Sequence, residues 1–468
     1  MVLYALVLFF TLMLFFNYII ADADFFHPCV LFCGMNLLSA IVCLFVKDVY
    51  RIELHGNTFF VLATGVIIFT AVNFLCRVLE QRRRSGAVKQ GRVAYKFEYI
   101  RVKRYWIVLL IGLEIVVSIL GLVYVIAISS AVYGTNASLG EHIGNYDRIV
   151  KFNEELYRSL EIGRSAIYTY GWPLCQACGY ILLAIEVNNF FVRKKLDIPV
   201  LLPILLLFAM SFITGSRSSA FRLITAALFF IVFFSRAQKG SYRRGNIKLF
   251  AKMLFSAVAV VVFFMAVREA IGRSTTSYAW YETLFAYLGA PFLNLDSFLQ
   301  EKLPETTIWG QETFGYLYSF LASQFGIDSL AYNLDLPFRT HNGINTGNVY
   351  TMYYQFIYDF GYLGIVPLTL IIALFYSMIY RSFMKCRVQS GYFGIKLIIY
   401  AYLFNDILML TFSNRFYENL LRSDSIRFYF WLLIVSFAIR KGFLVYRDRK
   451  KTVRDQKTMK RLLKTYEA

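Results

Sequence analysis

The sequence predicts an all-α protein threaded many times through a membrane. Three observations carry this prediction. Hydrophobic residues make up 58% of the 468-residue chain and charged residues only 17%, whereas soluble globular chains are near half apolar and a quarter charged. The apolar residues gather in runs of about 17–25, the length that crosses a ~30 Å hydrocarbon core as a helix. Lys and Arg gather in short segments between those runs, the pattern of the positive-inside rule. A soluble enzyme of one or two domains, a disordered chain and a collagen-like chain are excluded. The net charge of +20 is read as inner-face charge on an anionic leaflet, with no nucleic-acid partner.

Taken in order, the runs are 3–20, 29–46, 57–76, 105–131, 171–191, 199–214, 218–235, 249–267, 361–380, 394–412 and 425–441, about eleven spans in a range of ten to twelve. The apolar stretches 280–299 and 313–333 contain Glu282, Asp296 and Asp328 and read as helices lying on the membrane surface. The whole chain, 1–468, is read as one membrane domain with a large outer loop, 268–360, before the last three spans, and a basic tail, 442–468. Ala21-Asp22-Ala23 has the look of a signal-peptidase site. No basic region precedes the first run, so an uncleaved first span is expected.

Segments 77–104, 192–197, 236–248, 381–396 and 440–468 hold 33 of the 49 basic residues. With these spans they all fall on one side, which the positive-inside rule makes the inner one. Segments 134–170 and 268–360 fall outside. The same alternation puts Met1 outside and the acidic loop Ala21–Pro28 inside, against the usual charge bias.

No P-loop, dinucleotide Gly pattern, zinc-binding His pair or GxSxG is present. Only four histidines occur, so no metal site and no cofactor is expected. Of the seven cysteines, all but Cys386 lie in or beside apolar runs. They are read as buried small hydrophobes, Cys175 and Cys178 included. Glu114 and Glu186 lie within spans, where carboxylates are expensive and functional by default.

Chemistry is therefore sought in polar groups near the outer face. Thr214-Gly215-Ser216-Arg217 is a tight turn between two spans. Its Gly and Ser supply donors, and Arg217 supplies a bidentate fork for a phosphate. An arginine at a span end is otherwise a snorkelling anchor. Arg268 and Arg273 end the eighth span, with Glu269 between them as a simple pairing partner. The polar stretch from Arg339 through His341, Asn345, Asn348 and Tyr350 ends the long outer loop. Its amides and hydroxyls suit sugar hydroxyls, and His341 suits a base near neutral pH. Tyr354 and its aromatic neighbours fit ring stacking on sugars or an interfacial belt. Asp359 fits a capping or a functional carboxylate, with the structural role ahead.

On these residues the chain resembles the Wzy-type O-antigen and capsule oligosaccharide repeat-unit polymerases. The resemblance rests on Thr-Gly-Ser-Arg at 214–217, on the large outer loop before His341, and on Thr346-Gly347-Asn348-Val349-Tyr350-Thr351 with Asp359-Phe360-Gly361. It implies a GT-C-like membrane fold shared with O-antigen ligases. It also implies inverting, metal-independent glycosyl transfer at the periplasmic face of the bacterial inner membrane. Donor and acceptor would be glycans on undecaprenyl pyrophosphate, with membrane lipids and a chain-length regulator as further partners. By the same resemblance Arg217 and His341 carry the catalysis, and Arg339 joins them by residue type, as a cation for the leaving pyrophosphate. Ser216, Arg268, Arg273, Asn345, Asn348, Tyr350, Tyr354 and Asp359 bind substrate. An O-antigen ligase, a lipid-linked oligosaccharide transporter and a non-catalytic assembly partner are the rival readings.

Overall fold

The computed structural model of the protein describes residues 1–85, 98–238, 280–330, 334–384 and 394–446. The expected span 249–267, Arg268, Arg273, Cys386 and the tail beyond Tyr446 lie outside these residues. The described chain is mostly helix, with a single two-stranded hairpin among the described residues. Seven helices are long and apolar enough to cross a membrane: Val2–Ile20, Pro28–Phe45, Gly56–Arg82, Arg104–Tyr133, Ala166–Arg193, Ser218–Ala237 and Tyr353–Ser382.

The other expected spans come out shorter or more charged. Segment 199–214 forms a helix only over Ile198–Met210, 13 residues, about 20 Å at 1.5 Å per residue. Segment 394–412 is helical over Ile395–Leu408. The last, Ser423–Arg440, carries Asp424, Arg427 and Arg440.

The helices are labelled α1 (Val2–Ile20), α2 (Pro28–Phe45), α3 (Lys47–Tyr50), α4 (Gly56–Ser85), α5 (Arg104–Tyr133), α6 (Leu139–Phe152), α7 (Glu154–Ser159), α8 (Ala166–Arg193), α9 (Ile198–Met210) and α10 (Ser218–Gln238). After a break come α11 (Trp280–Leu288), α12 (Ala290–Leu299) and α13 (Gly315–Phe325). Then follow the hairpin β1 (Arg339–His341) and β2 (Ile344–Gly347), and α14 (Tyr353–Phe360), α15 (Ile365–Met384), α16 (Ile395–Leu408), α17 (Arg415–Leu421) and α18 (Ser423–Arg440).

Local chemistry sets several boundaries. Pro28 opens α2, where its missing N–H is harmless. Ser138 and Glu141 form a reciprocal capping box on α6. Helix α1 packs on α2, α4 on α15, α8 on α18, and α10 on α16. The core is one continuous apolar cluster through these helices, including Cys29, Cys33, Cys43, Cys175 and Cys178 as buried free thiols.

Following the chain from end to end, the helix termini that flank the basic segments share one end of the bundle. After α18 the chain pairs there, Val102 against Val445. The acidic loop after α1 lies at this same end, and its charges are neutralised there. Arg77 meets Asp22 at 3.0 Å, and Arg236 meets the buried Asp24 at 2.5 Å. Tyr380 donates to Asp24 at 2.5 Å. The acids that run against the charge bias are thus partners of the basic end. Asp and Glu weigh little in the topology rule in any case.

The opposite end carries α6, α7, the 211–217 turn, α11 to α14 with the hairpin, and the 409–422 connection. Helix α12 is not a surface helix. Nearly every residue of it is buried, Asn294 and Asp296 included, because α2, α4 and α14 surround it. The buried Glu114 of α5 and Glu186 of α8 are separate acids. Glu186 accepts the Asp197 N–H at 2.8 Å.

Candidate functional site

Two polar clusters sit at the end opposite the basic segments. The first is built on the 214–217 turn. Gly215 has φ +69, and a Cβ there would lie 2.8 Å from the Asp147 Cβ and 3.1 Å from the Ile143 carbonyl. Only glycine lets this turn lie against α6. The turn delivers Arg217 to the start of α10, where its guanidinium donates to the Tyr287 hydroxyl at 3.0 Å. Ser216 and Ser218 share a hydroxyl hydrogen bond at 2.8 Å.

Tyr287 stacks on Phe412 with centroids 5.6 Å apart, and the Arg415 guanidinium lies 5.4 Å from the Phe412 ring centre. Lys151, near the end of α6, pairs with Asp147 at 2.6 Å. Desolvation pushes its ammonium down to about 8; Tyr287 opposes this, and the Arg217 and Arg415 charges add to it. Arg415 also pairs with Glu418 at 3.5 Å, so three cations from three distant segments lie around Tyr287, two of them with a carboxylate partner. Such a grouping suits a multiply charged anion, which would relieve their mutual repulsion.

The second cluster is the hairpin and its supports. Asn342 and Gly343 have φ +51 and +78 and make the two-residue turn that Asn-Gly favours. Asn342 donates to the Tyr50 carbonyl at 2.8 Å, and Asn345 accepts the Gly347 N–H at 2.7 Å. The buried Asn294 of α12 receives the Thr346 hydroxyl at 2.7 Å and donates to the Val349 carbonyl at 2.8 Å. The hairpin is thus clamped to α12. His341 is half-buried, with Nε2 3.3 Å from the Ser297 hydroxyl. Burial first, then Arg339, lowers its pKa, against Asp296, so its neutral form is favoured.

Arg339 forks onto Glu301 through both terminal nitrogens, at 2.5 and 2.6 Å. Its Nε donates to the Tyr350 hydroxyl at 2.8 Å. Glu301 is held below the usual glutamate range by that fork. Tyr350 and Tyr354 are buried. They stack on each other at 4.2 Å, and their hydroxyls donate to the carbonyls of Pro337 and Asp335. These rings belong to the core. Asn348 is half-buried after β2. Asp359 accepts the N–H groups of Glu312 and Thr313 at 3.1 and 2.6 Å, tying that loop to the end of α14.

Arg217 and His341 therefore share one end of the bundle but belong to different clusters. Helices α11 and α12 join the clusters: Tyr287 serves the first, and Ser297 and Asp296 serve the second. Tyr287 lies near the end of α11, and Asp296 and Ser297 lie on α12 beyond the break at Gly289.

Sequence reading missed Lys151 and Arg415 at the first cluster and His55 with Asp296 at the second. Asp296 did carry a signal, as an acid inside an apolar stretch. Lys151 and Arg415 look in sequence like any solvated charge.

The fold and these clusters fit a multi-pass helical membrane protein with a cationic, polar cap at one end. Comparison with family models, with curated proteins and with solved structures gives no match.

Proposed function

We propose that this chain is a glycosyltransferase that polymerises undecaprenyl-pyrophosphate-linked oligosaccharide repeat units. The observation that carries the reading is the convergence of Lys151, Arg217 and Arg415 around Tyr287, at the end away from the basic segments. In an inverting transfer the acceptor hydroxyl attacks the anomeric carbon, and the bond to the pyrophosphate breaks. Negative charge builds on the departing oxygen, and cations already in place stabilise it without reorganising. No metal is required where guanidinium and ammonium groups supply that charge.

On this reading the opposite end faces the periplasm of a bacterial inner membrane. The segments 199–214, 394–412 and 425–441 add to the seven spans of a GT-C-like domain, and the sequence expectation of eleven also counts 249–267, which lies outside the described residues. A transporter would instead concentrate charge at helix breaks near the midplane, whereas these cations stand at helix ends.

The test is a deletion strain. The surface glycan should shrink to a single capped repeat unit, and the wild-type gene should restore a ladder of lengths. Arg217→Ala should leave the single unit at normal membrane levels, and Arg217→Lys should recover part of the ladder, because charge survives without the fork. Lipid-linked polymer that accumulates without reaching the surface would instead identify a ligase. Units trapped on the inner face would identify a transporter.

A further inference from the structure

His55 and Asp296 form a dyad that the glycan-polymerising reading of the first cluster does not use. Asp296 is 3% exposed. Its Oδ2 takes the His55 Nδ1 at 2.8 Å, and its Oδ1 takes the His55 backbone N–H at 2.7 Å and the Thr58 hydroxyl at 2.5 Å. The backbone and Thr58 bonds are what a cap on the start of α4 needs. The bond to Nδ1 adds something different. An ionised carboxylate only accepts, so Nδ1 carries the proton, and in the neutral ring the lone pair lies on Nε2.

The His55 side chain is 59% exposed, and Nε2 has no partner among the described residues. An imidazole oriented by a buried carboxylate, with an open Nε2, is the arrangement by which a histidine is aimed as a base. His341, at the end of β1, is more buried and has its Nε2 beside Ser297, the neighbour of Asp296 on α12.

We infer that His55 is a general base for the acceptor hydroxyl, with Asp296 as its positioning residue. This inference rests on the proposed polymerase reading. The step balances within the site. Nε2 takes the hydroxyl proton, and the acceptor oxygen forms its bond to the anomeric carbon. The carbon–oxygen bond to the pyrophosphate breaks with its electron pair, and the pyrophosphate leaves toward Lys151, Arg217 and Arg415.

The test must separate a base from a cap. His55→Asn keeps a side-chain donor for Asp296 and the backbone bond, but has no base at the Nε2 position. In the deletion strain it should give the single repeat unit at normal membrane levels. In proteoliposomes fed lipid-linked repeat units extracted from that strain, its rate should fall by about 10²–10⁴-fold, the usual contribution of a positioned base. His55→Gly should be similarly slow and should regain rate with added imidazole, which Arg217→Ala should not. Asp296→Asn offers an amide N–H to Nδ1 and so favours the other tautomer. It should lose rate while thermal unfolding in detergent stays near wild type.

A full ladder from His55→Asn beside a collapsed one from Arg217→Ala overturns His55 as the base and leaves the cationic site standing. Loss of rate in His55→Gly with no response to imidazole also overturns it. Full ladders from both His55→Asn and Arg217→Ala overturn the site reading itself.

Discussion

The two ends of the helix bundle use the same residue, arginine, in different ways. At the basic end Arg236 is buried and bonded to Asp24 and Tyr380. Arg381 there meets Glu80 at 2.8 Å and the Asn73 amide oxygen at 2.7 Å. Each is a tie between helices. At the opposite end Arg217 is half-exposed, bonds a phenol, and shares its surroundings with Lys151 and Arg415. Lys151 and Arg415 keep carboxylate partners in Asp147 and Glu418, yet none of the three cations ties two helices of the core together as Arg236 and Arg381 do. On the proposed reading, one end is arranged for stability and the other for a ligand.

The largest expected effect breaks that comparison directly. Removing one partner of a buried ion pair strands the other charge and costs about 3–5 kcal/mol. Arg236→Ala and Asp24→Ala should each lower the thermal midpoint in detergent strongly. Replacing both partners with apolar residues should recover much of the loss. Arg217→Ala should change stability by less than ~1 kcal/mol even as it abolishes polymer. If Arg217→Ala destabilises as much as Arg236→Ala, the two ends are alike and the contrast fails. Arg222, only five residues from Arg217, is nonetheless a tie between helices of the same kind as Arg236. It donates to the Tyr402 hydroxyl at 2.8 Å and faces the fully buried Asp406 at 3.5 Å.

A smaller effect sharpens the contrast through pH. Lys151 is pushed down to about 8, below the ordinary lysine value near 10.4. The unfolded chain therefore binds the proton more tightly, and the fold gains stability as pH rises from about 8 toward the ordinary value. A bound anion has the reverse preference. It favours protonated Lys151, so its affinity should fall across the same window. The KM for lipid-linked repeat units should rise between pH 7 and pH 9 by up to about tenfold, and Lys151→Arg should flatten the rise. A KM independent of pH in the wild type would remove Lys151 from the anion site.

The smallest effect lies at the hairpin. Glu301 is held low by Arg339, but its side chain is half-exposed. The contribution of the pair is present above the ordinary glutamate pKa and is lost as pH falls through the lowered value. Glu301→Gln should cost under ~1 kcal/mol and quicken hydrogen exchange across β1 and β2. Unchanged exchange would show that Asn294 alone holds the hairpin.

The apolar helices and the segregation of basic segments were legible in the sequence because each is a local signal. Period, length and the charges between runs need no knowledge of neighbours. The 214–217 turn was legible because its glycine and arginine are adjacent. The partners were not. His55 and Asp296 lie 241 residues apart. Arg415 and Lys151 acquire meaning only where α6 and the 409–422 connection meet. Tyr350 and Tyr354 read like aromatics for a sugar but are packed in the core, since an aromatic residue carries no sequence mark of which neighbour it faces. Helices α9 and α16 fall short of their apolar runs because hydropathy marks the run but not where the helix stops. In the structure α9 gives way at Met210 to the turn that bears Arg217.

Asp24 and Arg236 are separated by 212 residues. At about 5–20 residues per second, a ribosome takes on the order of 10–40 s to make the second after the first. For that time the hairpin of α1 and α2 carries an acid whose guanidinium does not yet exist. Tyr380, the other donor to the same carboxylate, arrives later still. The Asp24 tie of the first two helices is thus completed only when α10 and then α15 are delivered. A chain terminated before residue 236 would keep that acid without its guanidinium partner.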